Sequence, residues 1–196
     1  MNRTKTFMLA FGGSILPMTA FAHVGTQTTV NFMVGFGHPF SGQDHVLAML
    51  AVGLWAAMIG GRAVWAMPIG FVAALLAGGA IGMAYPTLNF AEPMILASIV
   101  FLGLVVAFAC RPPLWIAATG IALFGVAHGY AHGAEAPQVA SHAGVGVSRA
   151  LYAAGFASAS ALLHGVGLTV GQVLNGRLAR LFGVGTAAAG LVLAFA

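Results

Sequence analysis

Charge is what this chain has least of. Five per cent of its 196 residues are Asp, Glu, Lys or Arg, seven basic against three acidic, and its mean hydropathy is +0.99. A soluble domain carries about 25% charged residues, and so few charges cannot cover a soluble surface. A soluble enzyme and a disordered chain are thereby excluded. A nucleic-acid binder is excluded too. The sequence pI near 10.0 rests on a net charge of only +4, and no basic patch is present to neutralise a phosphate backbone. Cysteine is nearly absent: Cys110 alone can form neither an internal disulfide nor a multi-Cys metal site. There is no Walker motif, hence no ATP hydrolysis of that kind in this chain. No linker is long enough to separate domains, and no internal repeat stands out. What is abundant is apolar, at 60% hydrophobic residues with 28 Gly. Transmembrane helices carry more Gly than soluble ones do. The composition predicts an all-α integral membrane protein in contact with a lipid bilayer.

The first 22 residues have the form of a targeting segment. Arg3 and Lys5 supply a short positive region, and an apolar run over 7–16 follows, ended by Pro17 and Met18. Ala20-Phe21-Ala22 has the small-x-small pattern of a signal-peptidase site. The apolar run is too short to span about 30 Å of hydrocarbon. The pattern predicts a cleaved signal peptide over 1–22 and one membrane domain over 23–196, with His23 at the mature N-terminus. The His23 α-amine and its ring Nδ1 could close a six-membered chelate on one metal ion.

Six spans are predicted, near 41–59, 64–84, 92–110, 114–133, 144–174 and 178–196, each close to the roughly 20 apolar residues a crossing needs. The fifth is longer than needed, which suggests tilt, a break at Gly165 or Gly167, or a part outside the membrane. Arg62, Arg111, Arg177 and Arg180 fall at the first, third and fifth connectors, whereas the second and fourth hold Glu92 and Glu135. Cytoplasmic loops carry the positive excess. An even number of spans after a cleaved signal also puts both mature termini outside, so the two signals agree. Arg149 is the exception; it could snorkel or pair with Glu135. Gly70, Ala74, Gly78 and Gly82 form a small-residue stripe on the second span, which we read as helix packing. Trp55, Trp65 and Trp115 read as interfacial anchors at cytoplasmic helix ends.

The chemistry lies in seven histidines set among three acids. His38, Asp44 and His45 fall at the outer end of the first span. His128, His132 and Glu135 fall at the outer end of the fourth, spaced i, i+4 and i+7 on one helix face. His142 opens the fifth span from the same side, and only His164 lies deeper. Pro39 and Gly42 predict an irregular backbone, tolerated at membrane depth only where it is buried in protein or lines a cavity. Ionisable groups in a membrane are costly and mark ion or substrate paths. Neutral imidazole with some carboxylate suits a borderline divalent ion such as Ni, Cu, Zn or Fe. The predicted ligands are His23, His38, Asp44, His45, His128, His132 and Glu135. Met49, His142 and His164 are candidates for a path inward. Asp44 could instead orient a neighbouring His. Glu92, ahead of Pro93, reads as a helix N-terminal charge.

The stretch His38-Pro39-Phe40-Ser41-Gly42-Gln43-Asp44-His45-Val46-Leu47-Ala48-Met49 resembles the first-helix signature H-P-x-x-G-x-D-H-x-x-x-M of the hydrogenase/urease accessory nickel permeases, the HupE/UreJ family. His128-Gly129-Tyr130-Ala131-His132-Gly133-Ala134-Glu135 is similar to that family's fourth-helix motif H-G-x-A-H-G-x-E. The signal peptide, the His at the mature start and the six spans match as well. The resemblance implies a permease rather than an enzyme, with no cofactor of its own, taking up Ni²⁺ or Co²⁺ across a bacterial inner membrane for hydrogenase or urease maturation. It leaves open an energising or metallochaperone partner, as in the energy-coupling-factor nickel and cobalt transporters whose membrane components use an N-terminal His. Three other readings remain on the residues alone: a ceramidase-like zinc-dependent amide hydrolase, a b-type haem protein, and a receptor or sensor that binds metal without moving it.

Overall fold

The computed structural model describes residues 31–87, 90–135 and 145–195. The signal segment, His23 and His142 lie outside the described residues. Among those described there are seven α-helices, one 3-10 turn and no strand: α1 Phe32–Gly37, the 3-10 turn His38–Phe40, α2 Gln43–Ile59, α3 Ala63–Ala84, α4 Ala91–Ala107, α5 Leu114–Glu135, α6 Val145–Val173 and α7 Gly176–Ala194. The all-α expectation holds, and each of the six expected spans has a helix at its place. Four of these, α3, α5, α6 and α7, are long and apolar enough to cross a membrane alone. The pair formed by α1 with its turn and α2 makes a fifth if it is one broken span, bent by 83°. At 17 residues, α4 reaches about 25 Å. The chain is a multi-pass membrane protein.

Helix α6 runs 29 residues without a break. Gly165 and Gly167 do not interrupt it; a Cβ at Gly165 would meet nothing within 4 Å, whereas one at Gly167 would meet the Leu50 backbone of α2. The same device repeats through the molecule. Helix association in lipid has no hydrophobic drive and relies on close backbone approach at small residues. On α3 and α5, which run in the same direction, Gly125, Gly129 and Gly133 lie against Phe71, Leu75 and Gly79, while Gly78 and Gly82 lie against Val126 and Tyr130. The expected packing stripe on α3 is therefore real at Ala74, which lies against Gly125, and at Gly78 and Gly82. Gly70 is not part of it, since a Cβ there meets nothing within 4 Å. Helices α4 and α7 run antiparallel, with Gly103 on Ala187 and Gly183 on Ala107. Large apolar side chains such as Ile69, Leu123 and Leu181 are exposed on the outer faces, as lipid as solvent requires.

One expected anchor is misplaced. Trp55 is buried in the core, and its indole N–H donates to the carbonyl of Cys110 at 2.8 Å. A buried indole needs a partner for its one donor, and this partner lies just past α4, in the connector to α5. Trp65 and Trp115 are exposed, in keeping with an anchoring place.

Candidate metal site

The first motif builds a corner. Pro39 enters the 3-10 turn near its start, where its missing N–H costs nothing. The Ser41 hydroxyl and backbone N–H both close onto the His38 carbonyl, at 2.6 and 3.0 Å. Gly42 then extends the chain and α2 begins. A Cβ on Gly42 would lie 3.0 Å from His45 Nδ1 and nearer still to an Asp44 oxygen. The glycine thus leaves the space in which Asp44 and His45 meet. The irregular backbone expected over this stretch is present, and it turns His38 and His45 toward α5.

The second motif supplies the facing wall. His128 and His132 stand one turn apart on α5 and are buried. The glycines that follow each, Gly129 and Gly133, press on α3. They pin the helix so that the histidine face is directed inward. The two motifs meet as a chain of rings. His38 lies 4.6 Å from His132, His45 lies 4.2 Å from His132, and His45 lies 4.9 Å from His128, centroid to centroid. Beyond His128 comes Phe71 of α3 at 5.6 Å, and beyond Phe71 comes His164 of α6 at 5.0 Å. Tyr152 and Phe156 of α6 flank His38, and Phe156 also flanks His132 at 4.4 Å. A mostly apolar cleft between α3, α5 and α6 leads to His132, with Arg149 on its wall.

The hydrogen bonds explain which nitrogens remain available. His45 Nδ1 lies 2.8 Å from Asp44 Oδ1. An ionised carboxylate only accepts, so Nδ1–H donates and the lone pair resides on Nε2. His164 Nδ1 donates to the Ser160 carbonyl at 2.6 Å, again leaving the lone pair on Nε2. His128 Nε2 meets Ser98 Oγ at 2.9 Å. Among the described residues, five buried ring nitrogens have no hydrogen-bond partner: His45 Nε2, His128 Nδ1, both of His132, and His164 Nε2. A buried polar atom left without a partner costs about 1–3 kcal/mol. So many in one chain of rings is an expense that folding alone does not explain.

As the rings stand, no three His, Cys, Asp or Glu among the described residues are placed to hold one metal ion. They pack edge to face instead of converging on a point. Ligation needs rotation of the rings about their side-chain bonds. Of the expected ligands, His38, Asp44, His45, His128 and His132 come together. Glu135 is the last residue of α5, and its side chain, like His23 and His142, lies outside the described residues. Met49 is fully buried within the hydrophobic core cluster, one helical turn beyond His45. Ser98, Phe71, Tyr152 and Phe156 were not expected at the site. The one signal for Ser98 is a lone hydroxyl in the apolar run of α4.

The model of the HupE / UreJ protein family matches residues 10–193 of the chain. "Protein HupE" of Rhizobium leguminosarum bv. viciae is 38% identical over 182 residues, which is 91% of each of the two chains. No solved structure matches.

Proposed function

The chain belongs to the HupE/UreJ family, and from that footing we propose that it is a permease for Ni²⁺, with Co²⁺ as an alternative cargo, not an enzyme. The observation that carries this reading is the buried contact of His38, His45, His128 and His132 with ring nitrogens left unpartnered. Neutral imidazole is a fitting ligand for nickel. In this reading α2 to α7 are six crossings of the bacterial inner membrane. The signal peptide is removed, both mature termini are periplasmic, and His23 closes the site from above. Asp44, His45, His38, His128 and His132 gather the hydrated ion, and Glu135 attracts it or orients a ligand. The ion moves past Phe71 to His164 on its way in. His142 stands at the entrance. A conducting site must bind weakly enough to release, so these groups do not all ligate at once.

Membrane potential suffices as the driving force. A divalent ion gains about 4.6 kcal/mol per 100 mV on moving inward, which is over three decades of concentration. The test is nickel entry into proteoliposomes holding the purified mature protein. Entry is expected to rise steeply with an imposed inside-negative potential at fixed pH. A flat dependence counts against uniport. Binding without entry would reveal a receptor-like component that needs an energising partner. Absence of any nickel binding would sink the metal-transport reading and bring the zinc hydrolase forward.

A further inference from the structure

Ser98 is fully buried on α4, outside both histidine motifs in sequence. Its Oγ makes two contacts, 2.6 Å to the Ile95 carbonyl and 2.9 Å to His128 Nε2. A hydroxyl has one proton to give, and a carbonyl oxygen can only accept. The proton therefore goes to Ile95, since otherwise two oxygens would face each other at 2.6 Å with no hydrogen between them. Ser98 Oγ is then left to His128 as an acceptor, and His128 Nε2 must carry the ring proton. The lone pair falls on Nδ1, the buried ring nitrogen with no partner.

We propose that Ser98 is a positioning residue: it holds His128 as the Nε2–H tautomer, so that a divalent cation meets this ring through Nδ1. The proposal rests on the metal-site reading for its functional half only. Ser98 does for His128 what Asp44 does for His45 and the Ser160 carbonyl does for His164, which is to occupy one nitrogen and leave the other as a donor to metal. A ligating His commonly gives its second nitrogen to such an acceptor, and losing the acceptor costs about 10–100-fold in metal affinity. His132 differs, because neither of its nitrogens is held. No hydrogen bond fixes the tautomer of that ring in advance.

Two measurements on the full-length mature protein in nanodiscs test this. The first is the nitrogen NMR spectrum of ring-labelled histidine without metal, with the His128 signals assigned by their loss in His128→Gln. Protonated and lone-pair ring nitrogens resonate far apart, so the tautomer is read directly. The second is titration with Ni²⁺. In the native protein His128 is expected to be protonated at Nε2 only. Ser98→Ala is expected to give a tautomer mixture and a nickel Kd raised about 10–100-fold, and Ser98→Thr, which keeps the hydroxyl, to restore both. Protonation of His128 at Nδ1 in the native protein overturns the proposal. So does a Ser98→Ala spectrum identical to native, or an unchanged nickel Kd alongside a changed tautomer. A native protein with the expected tautomer but no nickel binding overturns the metal reading and leaves the hydrogen-bond assignment standing. The two failures are thus distinguishable.

Discussion

With His45 and His132 both replaced by Ala, nickel entry into proteoliposomes is expected to fall more than about 100-fold, beyond what loss of an outer-shell partner costs. These two rings hold the shortest histidine pair among the described residues, at 4.2 Å. Each belongs to a different motif on a different helix. Together they account for three of the five unpartnered buried nitrogens, so the double substitution removes the junction through which His38 reaches His128. A folding defect would imitate the result. The comparison is therefore with His45→Gln/His132→Gln, which keeps a polar side chain of similar length, and with the elution profile of each variant in detergent. Monodisperse variants that bind no nickel support the site. Native rates of entry in the double variant would remove these histidines from the path.

The histidine cluster was legible in the sequence where the chemistry is local. An i, i+4 pair on a helix fixes its own geometry, and Pro39 with Gly42 announces a corner. The motif glycines were legible only as letters. Their role, Gly42 making room for the Asp44–His45 pair and Gly129 and Gly133 seating α5 on α3, depends on which backbone lies opposite. Ser98 was out of reach for the same reason, since its bond to His128 joins residues 30 apart and nothing in an apolar run says which helix it will face. Trp55 was taken for an anchor because hydropathy locates depth along the membrane normal but not the inward or outward face. Short α1, with six residues, is too brief to register as a span. It is held by the Asn31 side chain accepting from the Val34 N–H at 3.0 Å and by packing of Gly35 on Tyr152 and Gly155 on Phe32.

The glycine stripe of α3 allows a test in which one substitution type changes sign along a single helix. In a helix interior Ala is better than Gly by roughly 0.8–1.0 kcal/mol. Gly70 has open space where a Cβ would go, so Gly70→Ala is expected to hold or raise thermal stability in detergent. At Gly82, three turns on, the same methyl would be driven into the carbonyl of Tyr130. A backbone oxygen in a helix cannot step aside, so the two helices must separate. Forcing extra volume into a packed interior costs about 1–3 kcal/mol, occasionally more. Gly82→Ala is therefore expected to lower the unfolding temperature clearly, and Gly129→Ala, against the Leu75 carbonyl, at least as much. The second variant carries a functional consequence as well. Gly129 adjoins His128, so α5 moving away from α3 displaces the ring from Ser98 and weakens nickel binding along with stability. Equal unfolding temperatures for the three variants, followed by helical circular dichroism, would mean that α3 and α5 are not packed backbone to backbone. The inward direction of His128 and His132 would then need another cause.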